Sequence, residues 1–161
     1  MPGFQCATCG QWHEELPDLG FAFPDYWQPN EEESATCYLK DDYCRIDDDF
    51  FLRGCLEIPI VDRGDDFFAY GIWLSTSETN FGKYREHLAD SDRHVGDRYV
   101  GYVSNELPGM EGCRELVGAA TLRRDFRPAI ELEPSDHPLS NLQRTGIEFA
   151  ALLETLDDFL H

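Results

Sequence analysis

Hydrophobic and polar residues alternate most regularly in the middle of the chain. From Phe50 to Ile60 the even positions carry apolar residues or glycine, whereas Arg53 and Glu57 share the other face. A period of two predicts a strand with one buried face. After a polar turn at 62–65, the nearly continuous apolar run from Phe67 to Leu74 predicts a strand covered on both faces. Together the two runs predict a β-hairpin.

Helical spacing follows the hairpin and returns at the end of the chain. A helix start at Ser75 or Ser77 precedes a stripe formed by Phe81, Tyr84 and Leu88. The segment 135–138 predicts a second start, since proline is tolerated in the first turn of a helix. A capping box of Thr145 and Glu148 predicts the start of the closing helix. The apolar face of that helix consists of Phe149, Leu152, Leu153, Leu156 and Phe159.

The part of the chain before the hairpin has a different pattern. Phe21–Trp27 is aromatic and broken by proline, which excludes a regular helix and indicates irregular packing over the edge of the core. Asn30 with Glu33 three residues later predicts a short helix that ends near Lys40.

Three further strands are predicted at Arg98–Asn105, Glu115–Arg123 and Pro128–Glu133. The sequence contains no internal repeat and no linker long enough to separate domains. We therefore expect a single α+β domain over residues 1–161, with an antiparallel β-sheet flanked by helices. Residues 1–45 would form a zinc-knuckle-like segment and aromatic arm packed on the remainder, and residues 46–161 the sheet and helices.

The charge of the chain limits its partners. Thirteen basic residues stand against 32 acidic ones, which gives a formal net charge of −19. Such a surface repels nucleic-acid phosphates and anionic lipid, so neither nucleic acid nor a membrane is expected as a partner. A basic protein partner suits this charge, although a merely solvated acidic surface would have the same composition.

The start of the chain resembles no targeting segment. Residues 1–5 have neither a basic nor an apolar region, and no stretch approaches the roughly 18 apolar residues of a membrane helix. We therefore expect a cytoplasmic protein, in which cysteines stay reduced. Six cysteines in that compartment favour a metal site or buried thiols over a disulfide framework.

Cys6 and Cys9 are followed by Gly10, and His13 lies four residues beyond the second thiol. Two thiols at this spacing before a glycine are typical of a zinc knuckle. Cys44 follows the predicted 30–40 helix on backbone free to bend toward a metal. The predicted ligands of a structural zinc ion are therefore Cys6, Cys9, His13 and Cys44, in a closed Cys₃His shell. Reduced, unligated thiols are the alternative.

Glu131 and Glu133 are two residues apart on a predicted strand, and Asp136 and His137 follow within one turn. This cluster could serve as acid and base or hold a metal, as in a hydrolase. Two glutamates on a solvated sheet face, with Asp136 as a helix cap, would give the same pattern. No nucleophile or glycine-rich loop accompanies the four residues, which favours the structural interpretation.

Arg114, Arg123, Arg124 and Arg127 concentrate positive charge in one part of this acidic chain. They could hold an anionic ligand through bidentate contacts. Pairing with carboxylates of the same chain is the favoured alternative.

Several stretches match a known pattern together. They are Cys6-x-x-Cys9-Gly10-x-x-His13-x-x-Leu16-Pro17, Pro24-Asp25-Tyr26, Asp42-x-Cys44, Arg53-Gly54-x-x-Glu57-Ile58-Pro59, Gly71-x-Trp73, Ser104-Asn105-x-Leu107-Pro108, and the run from Arg127 to Leu139. The chain resembles the bacterial family named domain of unknown function 2199, over nearly its whole length. The resemblance implies one domain and a bacterial source, and it supports the four zinc ligands chosen above. It implies no activity.

Two functions remain open at this point. The first is a non-catalytic, zinc-stabilised module with an acidic surface that binds another protein, in the manner of a neutraliser of a basic partner. The alternative is a hydrolase-type enzyme that uses Glu131, Glu133, Asp136 and His137.

Overall fold

The computed structural model describes residues 19–30 and 32–160, with side chains to residue 156, and the backbone of two short strands nearer the start. The described strands are β1 (Phe4–Gln5), β2 (Trp12–His13), β3 (Leu19–Gly20), β4 (Cys37–Leu39), β5 (Tyr43–Ile46), β6 (Asp49–Pro59), β7 (Phe67–Thr76), β8 (Arg98–Tyr102), β9 (Val117–Thr121) and β10 (Ala129–Leu132). The helices are α1 (Glu78–Ala89), α2 (Pro138–Thr145) and α3 (Phe149–Leu160). The predicted α+β class is confirmed.

Strands β6 and β7 form the predicted hairpin at the centre of the sheet. They pair antiparallel from Phe50 opposite Thr76 to Pro59 opposite Phe67. Leu52 is fully buried in the larger core, on the face toward the helices. Trp73, also fully buried, lies on the opposite face in a second cluster. The hairpin is therefore covered on both sides.

The second edge of β6 is shared by two strands. Its first half pairs antiparallel with β5, and its second half pairs parallel with β10. Strands β9 and β8 continue antiparallel beyond β10. The main order across the sheet is thus β3-β7-β6-β10-β9-β8, with β5 paired to β6 and β4 paired to β5.

The sheet is mixed, so the prediction of an antiparallel sheet was only partly right. Both parallel ladders are short: Leu19–Gly20 runs along Tyr70–Gly71, and Ala129–Ile130 runs along Cys55–Leu56. Side chains alternate with a period of two whichever way a neighbouring strand runs. The hydrophobic pattern therefore carried no information on strand direction.

The sheet curls far enough for the last strand in its order to reach β7. A bridge joins Leu74 to Val103, and the Ser104 N–H donates to the Trp73 carbonyl at 2.8 Å. A Cβ atom on Gly101 would lie 1.6 Å from the carbonyl oxygen of Ser75. The backbones of β7 and β8 can approach this closely only because residue 101 has no side chain.

The helices pack on the larger core, and each begins with a side chain that accepts a backbone N–H. Ser77, one of the two predicted starts, caps α1, and His137 caps α2. The predicted capping box of α3 is wrong, because Asp62 from the β6–β7 turn accepts the N–H of Phe149 at 2.9 Å. Among the described residues no helix has the length and apolar character needed to cross a membrane.

The predicted apolar stripe of α1 needs one correction. Phe81 and Tyr84 are buried as expected, but Leu88 is 43% exposed and His87 is buried in its place. The His87 ring nitrogens contact the carbonyl oxygens of Arg93 and, at 2.8 Å, Arg123. A polar side chain therefore takes an interior position because two loop carbonyls need a partner there.

The predicted helix from Asn30 to Lys40 is wrong, since β4 and a turn occupy this segment. Strand β4 pairs with β5, and a Glu33 carboxylate oxygen accepts the N–H of Leu39 at 2.9 Å. The side chain interpreted as part of a helix cap thus serves a strand. Pairing with β5 outweighed the local helix signal.

A second hydrophobic cluster covers the other face of the hairpin. Its buried members are Trp27, Cys37, Cys44, Phe51 and Trp73, and Phe21, Phe23, Leu39 and Ile46 pack against them. The arm, defined here as residues 19–27, therefore supplies the cover of this face. It is fastened by the Trp73 indole N–H, which donates to the Phe21 carbonyl at 2.9 Å.

Gly101→Ala tests the close approach of β7 and β8. We expect the free energy of unfolding to fall by about 3 kcal/mol, because the new methyl group meets backbone that cannot rotate away. Urea unfolding followed by tryptophan fluorescence measures the change. Gly82→Ala is the matched control: residue 82 is an exposed helical position with open space around it, so stability should rise by roughly 0.5–1 kcal/mol. Unchanged stability in Gly101→Ala would contradict the close approach.

Candidate functional site

A cleft of about 740 Å³ opens where the central hairpin begins and ends, between the β5–β6 turn, the end of β7 and the end of β8. This volume lies within the range of typical ligand sites. We call it the acidic cleft. Its lining residues are Tyr26, Asp48, Asp49, Phe50, Phe51, Ser75, Thr76, Tyr102, Ser104 and Glu115.

Tyr26 forms the arm's side of the acidic cleft. Its ring stacks on Phe51, with 5.9 Å between centroids and 25° between planes, and its hydroxyl donates to Glu115 Oε1 at 3.5 Å. Burial, and next the charge of Glu115, raise the pKa of Tyr26 above its ordinary value. The phenol therefore stays protonated and acts as a donor at neutral pH.

Tyr102, at the end of β8, also lines the acidic cleft. Its backbone N–H donates to Ser75 Oγ at 2.9 Å, and its carbonyl accepts from Ser104 Oγ at 3.0 Å. The residue is 56% exposed although both backbone groups have these partners. An exposed aromatic ring thus lines the cleft from a backbone with fixed hydrogen bonds.

Glu115 has a strained backbone. Its φ of 79° lies in the left-handed region, which costs a residue with a Cβ atom about 1 kcal/mol or more. Its N–H donates to the Val103 carbonyl at 2.7 Å, and this contact holds the conformation. Residues in strained backbone conformations cluster at active sites, ligand clamps and switch regions.

The acidic cleft carries uncompensated negative charge. Asp48, Asp49 and Glu115 are exposed, and in the part of the chain with described side chains no basic group comes within 4.0 Å of their carboxylates. Arg114 lies over the Tyr26 ring at 5.7 Å but pairs with Asp25 at 3.4 Å. The arrangement can therefore attract a cation.

A buried amide supports the cleft from below. Asn105 is fully buried, and its Oδ1 accepts the backbone N–H of Trp73 at 2.8 Å. Its Nδ2 donates to the Phe23 carbonyl at 3.0 Å and to Asp25 Oδ1 at 3.1 Å. The other Asp25 oxygen accepts the Glu106 N–H at 2.8 Å. These bonds fix the arm beside the sheet and thereby place Tyr26.

Glu106 and Cys113 stabilise the neighbouring loop. A Glu106 carboxylate oxygen accepts the Cys113 N–H at 2.8 Å and the Arg114 N–H at 3.3 Å. Burial acts to raise the pKa of Glu106, but hydrogen bonds from the Cys113 thiol and the two N–H groups outweigh it and lower the pKa. Burial raises the pKa of Cys113 to about 12, so this thiol stays protonated at neutral pH.

A family model described as an uncharacterized protein conserved in bacteria, domain of unknown function 2199, matches residues 5–147. The chain belongs to this family. The match covers the sheet, the arm and α2, and it confirms the resemblance noted in the sequence. This DUF2199 protein matches no curated protein and no solved structure. The stretches Pro24-Asp25-Tyr26 and Ser104-Asn105, which carry part of the resemblance, meet beside the acidic cleft.

The predicted zinc ligands of the DUF2199 protein lie largely outside the described part. Cys6 and Cys9 are outside it, and His13 belongs to β2, of which only the backbone is described. Cys44 is fully buried in the second cluster, on the same face of the β4–β5 pair as Cys37. Within the described residues no group of three or more His, Cys, Asp or Glu side chains could hold a metal ion. The four-ligand site therefore stays a prediction.

The residues of the hydrolase alternative have separate environments. Glu131 borders a smaller cleft with Glu57 and Arg144, while Glu133 and Asp136 are exposed. His137 Nδ1 accepts the Leu139 N–H at 3.1 Å, and its Nε2 contacts the Glu111 carbonyl at 2.9 Å. The imidazole therefore caps α2, and catalysis by this cluster stays a prediction.

The four clustered arginines pair with carboxylates of the same chain. The pairs are Arg114–Asp25, Arg123–Glu57, Arg124–Asp92 and Arg127–Asp42, at 3.4, 2.9, 2.7 and 2.9 Å respectively. This agrees with the favoured alternative of internal pairing.

Sequence reasoning did not find the acidic cleft. Its carboxylates come from the β5–β6 turn, the start of β6 and the loop before β9. Hydrophobic periodicity in the sequence does not show that these segments meet. The one available signal was Tyr102, an aromatic residue on the exposed face of a strand that alternates between exposed and buried positions.

Glu106→Gln tests the loop support. A lowered folded-state pKa means that the carboxylate's contribution is fully present above its unfolded pKa, about 4.3, and is lost as the pH falls through the lower folded value. We therefore expect the stability difference between wild type and variant to be largest near pH 6 and to shrink toward pH 3, by urea unfolding.

Glu111→Gln is the control for this prediction, since its exposed side chain forms no hydrogen bond with other described residues. A stability difference for Glu106→Gln that stays constant between pH 6 and pH 3 would contradict the assignment.

Proposed function

We propose that this DUF2199 protein is a non-catalytic binding module whose acidic surface receives a basic partner protein, and whose N-terminal segment is stabilised by zinc. The observation that supports the binding role is that many basic side chains are already paired within the chain. Six Lys or Arg side chains of the described part pair with carboxylates of the same chain. With a net charge of −19, the excess carboxylates are left to solvent.

An acidic surface of this kind favours association with a basic protein in two ways. It accelerates encounter through long-range attraction, and it disfavours acidic competitors through repulsion. The acidic cleft adds exposed aromatic rings, which are enriched where proteins bind one another.

The binding role can be tested with the peptide Lys-Gly-Arg-Gly-Lys, blocked at both ends, in calorimetric titrations at several salt concentrations. We expect saturable one-to-one binding that weakens as salt rises, because the attraction is screened over about 10 Å at 0.1 M. The same peptide with Glu in place of Lys and Arg should not bind. Failure of the basic peptide to bind at low salt would contradict the proposal.

Donor chemistry and chain placement support the zinc site. Cys6 and Cys9 lie in the chain between β1 and β2, which pair antiparallel with Phe4 opposite His13. Cys44 lies on the sheet face that the arm covers. Three thiolates and an imidazole suit Zn²⁺, which would bind there as a structural ion in a closed shell.

Metal content of the purified, untagged protein tests the site. We expect about one zinc per chain and loss of zinc in Cys6→Ser, Cys9→Ser and Cys44→Ser. Chelation should lower the melting temperature, because binding of a structural zinc ion contributes directly to folding. Cys55→Ser is the matched control, because Cys55 lies outside the second cluster, and it should retain the metal. A protein free of zinc, or a Cys44→Ser variant that keeps full occupancy, would contradict the ligand set.

A further inference from the structure

We propose that the acidic cleft accepts an arginine side chain of the basic partner, with the guanidinium beside the Tyr102 ring and paired with the cleft carboxylates. This inference rests on the proposed binding function. It adds the position of the binding site and the kind of side chain that the site accepts.

The first argument is charge. Glu115 faces the same cleft as Asp48 and Asp49, and among the described side chains these three carboxylates lack the arginine partners that Glu57, Asp42 and Asp92 have. A concave site with one sign of charge concentrates the field and binds a counter-charge more strongly than a convex surface. The occupant is therefore cationic.

The second argument is the aromatic component. Tyr102 is 56% and Tyr26 41% exposed, both beside the carboxylates. A cation over a tyrosine face gains attraction from the ring quadrupole, and an aromatic ring with an adjacent carboxylate suits a planar guanidinium better than an ammonium. This chain makes the same contact itself, because Arg114 lies over Tyr26 while paired with Asp25.

The third argument is preorganisation. The Ser75 and Ser104 hydroxyls hold the Tyr102 backbone, and the Val103 carbonyl holds Glu115 in its strained conformation. Groups that are already ordered lose little conformational entropy when a ligand binds.

Three peptides distinguish an arginine site from general attraction. The first is Lys-Gly-Arg-Gly-Lys, the second has citrulline at the centre, and the third has lysine there. We expect the arginine peptide to bind best. Citrulline, which keeps the shape but loses the charge, should bind about fivefold more weakly, in line with the strength of cation–π and exposed ion pairs. Amide shifts in a ¹⁵N titration should concentrate at Asp49, Tyr102 and Glu115.

Variants then locate the site. Glu115→Gln and Tyr102→Leu should each weaken binding of the arginine peptide about threefold to tenfold, whereas Tyr102→Phe should retain it because the ring remains. Asp65→Asn is the charge-matched control: residue 65 lies in the turn at the other end of the hairpin, about 33 Å away along β6. It removes one charge from the same field and should change affinity less than twofold by the same estimate.

The outcomes separate this inference from the function on which it rests. If Asp65→Asn weakens binding as much as Glu115→Gln, or if citrulline binds like arginine, the cleft site is overturned while the acidic binding module stands. If no basic peptide binds the wild type, the proposed function fails as well. Melting temperatures of the variants show that each is folded.

Discussion

The buried amide of Asn105 is the contact on which the relation between arm and sheet depends. It bonds the edge of β7 at Trp73, the arm carbonyl of Phe23 and the carboxylate of Asp25. Each of these groups would cost about 1–3 kcal/mol if it were buried without a partner. Because one side chain satisfies several polar groups of two elements, it continues the register that the β3–β7 pairing starts, and it fixes the far end of the arm, where the ring of Tyr26 stacks on Phe51.

This register turns separate loops into a cleft. Tyr26 comes from the arm, Asp48 from the β5–β6 turn, Asp49 from the first position of β6, and Glu115 from the loop before β9. They are far apart in sequence. The stacking of Tyr26 on Phe51 brings the arm to the start of β6, and the curl that brings β8 against β7 adds the loop of Glu115. The fold therefore determines the concentration of negative charge in the cleft, whereas the composition of the chain alone accounts for the charge of the remaining surface.

The hairpin, α1 and the class of the fold could be predicted from the sequence, because each depends on a hydrophobic periodicity that tertiary contacts reinforce. It missed the parallel ladders, because alternation is independent of strand direction, and it placed a helix where β4 pairs with β5. Leu88 is exposed and His87 is buried because two loop carbonyls, one directly after α1 and one 36 residues away at Arg123, needed a partner. The cap of α3 came from Asp62, 87 residues before the N–H that it accepts. The features that could not be predicted from the sequence depend on contacts between distant segments. The hydrogen bonds of Asn105 and the acidic cleft are of this kind.

The curl of the sheet also limits unwanted self-association. Strand β7 is bordered by β6 along its length on one side; on the other it meets β3 at Tyr70–Gly71 and the chain after β8 at Leu74. Within the described part of the chain, the hairpin of β6 and β7 therefore offers no extended free edge onto which a foreign strand could be added. A newly made chain gains this protection only once the β8 region has docked, so the interval before that step is the one in which aggregation competes with folding.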